Sequence, residues 1–121
     1  METNQKNKIS IWIGNFYSQE ELDVYLEKKY SEDGDAVSNF MNDFKISYYD
    51  EDFQEAYYDK EKKEVSELME PLSYSEMIIP KLTNLKEKYN SVVCLYNYEY
   101  NMSVIESDKL KLVGVYDINN S

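Results

Sequence analysis

The segment Ser91–Tyr100, SVVCLYNYEY, constrains the fold more than any other part of the chain. Val92, Cys94, Tyr96, Tyr98 and Tyr100 alternate with Val93, Leu95, Asn97 and Glu99, which is the two-residue period of a β-strand. Its first half is apolar at both parities. A strand that is apolar on both faces belongs in the middle of a sheet, where neither face meets water. A second strand is expected over Lys8–Phe16, where Ile9, Ile11 and Ile13 alternate with Ser10, Trp12 and Gly14. Gly14 near its end marks a bulge or a close approach by another backbone. Leu110, Leu112, Gly114, Tyr116 and Ile118 predict the last strand, reached through a long hairpin loop over Asn101–Asp108 with room for one edge strand at Met102–Glu106.

Between these strands the period lengthens to that of helices. Ser18 and Glu21 have the spacing of a capping box, with Tyr17 and Leu22 placed as its hydrophobic staple, and Leu22, Tyr25, Leu26 and Tyr30 share one helical face. Gly34 ends that pattern, and Asp35 is expected to cap a short helix with the face Val37, Phe40, Met41 and Phe44. Ile46 and Tyr48 suggest a short strand, Tyr49–Asp52 a turn and Phe53–Tyr58 either a returning strand or a helical turn, of which the strand is preferred. Glu64–Met69 reads as a helix closed by Pro71. A second capping-box spacing, Ser73 with Glu76, predicts a longer helix carrying Ile78, Leu82, Leu85 and Tyr89, with Pro80 kinking it or marking its true first turn. The expected fold is α+β: an antiparallel or mixed sheet of four to five strands with two to four helices packed mainly on one face. The 121 residues suit a single domain, with residues 1–7 expected to be a flexible N-terminal tail.

Composition removes most chemistry. The 13 basic residues are all lysine and there is no histidine, so the usual neutral-pH general base and the commonest nitrogen ligand of transition metals are both missing. Cys94 is the single cysteine, which excludes an intramolecular disulfide or a thiolate metal centre; placed mid-strand among apolar neighbours, it is expected to be a buried structural thiol. Gly14, Gly34 and Gly114 are too far apart to cradle a phosphate. Asp50–Glu61 matches a calcium loop at positions 1, 3 and 12, but Glu55 stands where the sharp turn needs glycine. No catalytic residue, metal site or cofactor is therefore expected. Without a basic patch the chain lacks the means to neutralise nucleic-acid phosphates, and no segment has the apolar length of a membrane span or the pattern of a signal peptide. A cytoplasmic location is the expectation.

The net charge of −11 is concentrated. Residues 20–70 carry 17 acids against 6 lysines, whereas the rest of the chain is balanced at 7 of each. Such a block repels anions and attracts a basic surface. Tyrosine is a favoured anchor where a surface must be apolar and yet hydrogen-bond, and tyrosines interleave the acids. The candidate partner-binding residues are accordingly Asp33, Asp35, Tyr48, Tyr49, Asp50, Glu51, Asp52, Glu55, Tyr57 and Tyr58. A solvated acidic face, with each tyrosine turned inward, is the competing reading.

The order IWIGNF, SQEELDVYLEKKY, DGD, NDF, ISYYDEDFQE, SYSEMIIP, SVVCLYNYEY and LVGVYD resembles the immunity protein 22 family of bacterial polymorphic toxin systems, from about Ile9 to Asp117. IWIGNF and YYDEDF are its more specific pieces. The resemblance implies a noncatalytic protein that binds a cognate toxin and so protects the producing cell. A basic toxin such as a nuclease would suit the acidic block, because its phosphate groove needs positive charge. An acidic DNA mimic or a regulatory protein-binding module is the alternative from the charge pattern. Neither names the oligomeric state, for which monomer and weak dimer both stand.

Overall fold

The computed structural model describes residues 8–30, 32, 34, 36–82 and 86–117. The expected tail at residues 1–7 lies outside them. The central strands are β1 (Lys8–Gly14) and β5 (Lys88–Tyr96), flanked by β4 (Gln54–Glu64) and β6 (Leu110–Asp117) in the order β4-β5-β1-β6, with every neighbouring pair antiparallel. A two-stranded ribbon, β2 (Lys29–Tyr30) with β3 (Ala36–Val37), stands apart. The helices are α1 (Gln19–Leu26), α2 (Asn39–Phe44), α3 (Val65–Met69) and α4 (Ser75–Ile78). The α+β class is as expected.

Alternation along β1 and β5 builds two cores rather than one. Trp12, Val93 and Leu95 face α1 and α2, where Leu22, Tyr25, Phe40 and Phe44 close an aromatic-rich layer. Trp12 is fully buried, with its ring 4.9 Å from that of Phe40 in an edge-on arrangement. Ile9, Ile11, Ile13, Val92 and Cys94 face the opposite way, onto Val65, Leu68 and Met69 of α3 and Ile78 of α4. The helices thus cover both faces, not mainly one. The cause is the feature that made β5 central: strands apolar at both parities would leave one face wet under a single helical layer. Burial pushes the Cys94 thiol pKa upward, as befits a packing residue.

The expected C-terminal hairpin is replaced by a crossover. β1 lies between β5 and β6, which consequently run parallel to each other, and parallel strands cannot be joined by a hairpin. Tyr98 and Tyr100, expected on the strand, belong to this connection and are buried. Ser10, buried at the centre of β1, donates its hydroxyl to the Tyr98 carbonyl at 2.8 Å and accepts the Tyr100 N–H at 3.0 Å. Where the crossover returns, the backbone passes so close to Gly14 that a Cβ there would sit 2.1 Å from the Lys109 carbonyl oxygen. The close approach expected at Gly14 is thereby explained. In place of the expected edge strand at 102–106 there is one isolated bridge, Glu106 with Lys111.

Local signals were partly diverted. Ser18 caps α1 by accepting the Glu21 N–H at 3.1 Å, but the Glu21 carboxylate accepts the Tyr17 N–H at 2.7 Å, and Tyr17 is 90% exposed, so the staple does not form. α1 stops at Leu26, leaving Tyr30 on β2 and 80% exposed. The cap of α2 is Ser38, whose side chain accepts the Met41 N–H, while Val37 belongs to β3. No strand forms over 46–48; Ile46 and Tyr49 are buried in the aromatic core instead. The helix expected from Ser73 is only α4 and a 3₁₀ turn, Ile79–Lys81, that holds Pro80 in its first turn, because proline lacks the N–H that continuation needs. Leu85, placed on that helix, lies outside the described residues, and Tyr89 is on β5.

Candidate interaction site: an acidic groove and a carboxylate-floored cavity

The segment between α2 and β4 carries the acidic run and is shaped by local hydrogen bonds. The Asp50 carboxylate accepts the Asp52 N–H at 3.0 Å and caps a 3₁₀ turn over Glu51–Phe53, an arrangement short acidic side chains favour because they can reach the backbone two residues on. This turn points Glu51 and Asp52 outward. With Tyr48, Tyr49, Tyr30, Val37 and Lys28 they line a groove of about 640 Å³.

The two tyrosines of that groove differ. Tyr48 is 58% exposed, whereas Tyr49 is 2% exposed and packs edge-on against Phe40 at 6.0 Å. Tyr49 is therefore a core residue and not an exposed contact; burial raises its hydroxyl pKa, and the hydroxyl bonds to Gln54. Lys28 donates to the Tyr49 carbonyl at 2.9 Å and lies 4.1 Å from the Tyr49 ring centroid and 5.5 Å from that of Tyr48. The groove thus contains its own cation over its tyrosines. None of the ion pairs among the described residues involves Asp50, Glu51 or Asp52.

Asp52 also borders a second cavity, of about 260 Å³, lined by Phe53, Glu55, Ser73, Tyr74, Tyr96 and Asn97. Glu55 forms its floor. One carboxylate oxygen accepts the Ser73 N–H at 2.9 Å and the Tyr96 hydroxyl at 2.7 Å; the other accepts the Ser73 hydroxyl at 2.8 Å. Partial burial pushes the Glu55 carboxyl upward, but these hydrogen bonds outweigh it and hold the group below the usual carboxylate range. Ser73, expected to cap a helix, is held by Glu55 instead. Burial likewise raises the Tyr96 hydroxyl pKa, keeping it a neutral donor.

The remaining candidates do not converge here. Tyr57 and Tyr58 are adjacent on β4, so the strand sends them to opposite faces: Tyr57 packs on the aliphatic core and Tyr58 on the aromatic one. Their hydroxyls donate to Asp59 and to the Tyr17 carbonyl. Asp33 and Asp35 lie outside the described residues. Conversely, Phe53, Ser73, Tyr74 and Tyr96 line the cavity without being among the binding candidates that the acidic run marks out. Only Tyr96 left a signal, as the residue where the apolar run of β5 gives way to polar neighbours.

The family model for immunity protein 22 matches residues 9–119. This chain belongs to the immunity protein 22 family. Membership supports a toxin-immunity role in general terms. Both the Tyr48 groove and the Glu55 cavity fall within the matched span of this immunity protein 22 domain. No curated protein and no solved structure matches the chain significantly. Among its described residues no helix is long and apolar enough to cross a membrane.

Proposed function

We propose that the protein is a noncatalytic immunity protein that neutralises a cognate toxin by occupying a basic surface with the face running from Tyr48 to Glu55. The observation that carries this reading is the exposed Tyr48 set beside the outward carboxylates of Glu51 and Asp52, which have no ion-pair partners among the described residues. Uncompensated negative charge accelerates encounter with a positive groove, and the tyrosine supplies contact area once water is expelled. Asp33 and Asp35, sequence neighbours of the groove residue Gly34, complete the proposed set. Tyr57 and Tyr58 do not belong to it. A nuclease is the class of toxin such a face would suit, since its phosphate-binding groove is basic.

The test is co-expression with the product of the adjacent open reading frame, scoring rescue of growth and a co-purifying complex. Rescue together with a stoichiometric complex is expected. Association should slow about tenfold or more between low and high salt. Full protection by Asp50→Asn/Glu51→Gln/Asp52→Asn, or an association rate indifferent to salt, would remove the acidic face from the mechanism.

A further inference from the structure

We infer that the Glu55 cavity is a receptor for one basic side chain of a protein partner, an arginine or lysine whose cationic head meets Glu55 and Asp52 between aromatic walls. At about 260 Å³ the space is smaller than the pockets that enclose metabolite-sized ligands and suits the head of a single side chain. Its walls are Phe53 and Tyr74, 41% and 50% exposed, with the Tyr74 ring 5.8 Å from that of Tyr96. Aromatic faces and carboxylates both attract a cation, and no lysine is among the described residues that line this cavity. The neighbouring groove supplies the contrast, because there Lys28 already lies over Tyr48 and Tyr49.

The floor is preorganised. Ser73 and Tyr96 fix the Glu55 carboxylate with three hydrogen bonds, leaving one of its about four acceptor positions open, on the oxygen bound by the Ser73 hydroxyl. An anion would face two carboxylates, and an apolar group would desolvate Glu55 without pairing it. Tyr74, one of four non-glycine residues with positive φ among the described residues, adopts a left-handed backbone at φ 63°, unfavourable for a residue with a side chain, and lines the cavity.

The inference rests on the toxin-binding reading only for the source of the side chain. Its test uses Nα-acetyl-arginine amide as probe and the citrulline amide, a neutral isostere, as control, titrated into the full chain while amide NMR shifts are followed. Saturating shifts at Tyr74, Tyr96 and Asn97 with arginine alone are expected. Glu55→Gln should abolish them. Tyr74→Gly should weaken binding about fivefold while leaving the melting temperature unchanged or higher, since glycine relieves the left-handed backbone. Equal response to citrulline, shifts centred on Tyr48, or unchanged affinity in Tyr74→Gly overturns the proposal. Loss of toxin protection with arginine binding intact would count against the immunity reading alone.

Discussion

The two ends of β4 bring tyrosines together with charges of opposite sign. Where the strand begins, Asp52 and Glu55 stand among Phe53, Tyr74 and Tyr96. Towards its other end, Lys60 and Lys62 line a hollow of about 450 Å³ with Tyr17, Tyr58 and Lys109. Two lysines at that end are paired, Lys109 with Glu21 at 3.1 Å and Lys63 with Asp59 at 3.7 Å, whereas Lys60 and Lys62, like Asp50, Glu51 and Asp52, take part in none of the ion pairs among the described residues. Lys60 and Lys62 also alternate with Glu61 on an edge strand whose register shifts between Tyr58 and Lys63, a combination that discourages another strand from pairing. The difference teaches that charge alone does not mark a binding face. The acidic end is distinguished by three consecutive acids outside the ion pairs of the described residues, set beside the exposed rings of Tyr48, Phe53 and Tyr74.

The sharpest way to break this comparison is charge reversal at one end. Asp50→Lys/Glu51→Lys/Asp52→Lys should weaken toxin association about 100-fold or more, measured by surface binding kinetics, mostly through a slower on-rate. Next in size is the backbone contact at the lysine end. Gly14→Ala must displace the Lys109 carbonyl and should cost about 1–3 kcal/mol in urea denaturation.

A smaller effect separates the ends by pH. The folded Glu55 carboxyl lies below its ordinary value of 4.5, so its contribution to stability is present above that pH and is lost as pH falls through the folded value. Glu55→Gln should therefore be less stable than the parent by about 1 kcal/mol at neutral pH, discounted for its partial exposure, and the gap should close in acid melts. Smallest of all, Lys60→Glu/Lys62→Glu should change stability by less than about 0.5 kcal/mol and leave toxin affinity within about twofold. A large loss of affinity in that variant would move the binding face to the wrong end.

Much of the fold was legible because it rests on period. The alternation in Lys8–Gly14 and Ser91–Tyr96 located both central strands, and Ser18 located the start of α1. What misled was local chemistry with two available partners. Ser73 and Glu76 have the spacing of a helix cap, but Ser73 bonds to Glu55, which comes from a strand 18 residues earlier in the chain. Tyr98 and Tyr100 continue the strand period, but the chain leaves the sheet after Tyr96 and plugs them into the aromatic core. Within the candidate site, Tyr48 and the Asp50–Asp52 run were found by composition. Phe53 and Tyr74 could not be, because an exposed aromatic in sequence looks the same as a buried one.

The amino-acid sequence by itself determined the α+β class, the central strands, the absence of histidine chemistry and the confinement of surplus negative charge to residues 20–70. These follow from local periodicity and from counting, which do not depend on what lies across the molecule. Only the tertiary structure decided that β1 separates β5 from β6, that helices cover both faces, and that Glu55 meets Ser73 and Tyr96. It also decided that Tyr49 is core while Tyr48 is surface. Burial and hydrogen-bond pairing are properties of neighbours in space, and residues of one type acquire different roles when the chain packs different surroundings against them.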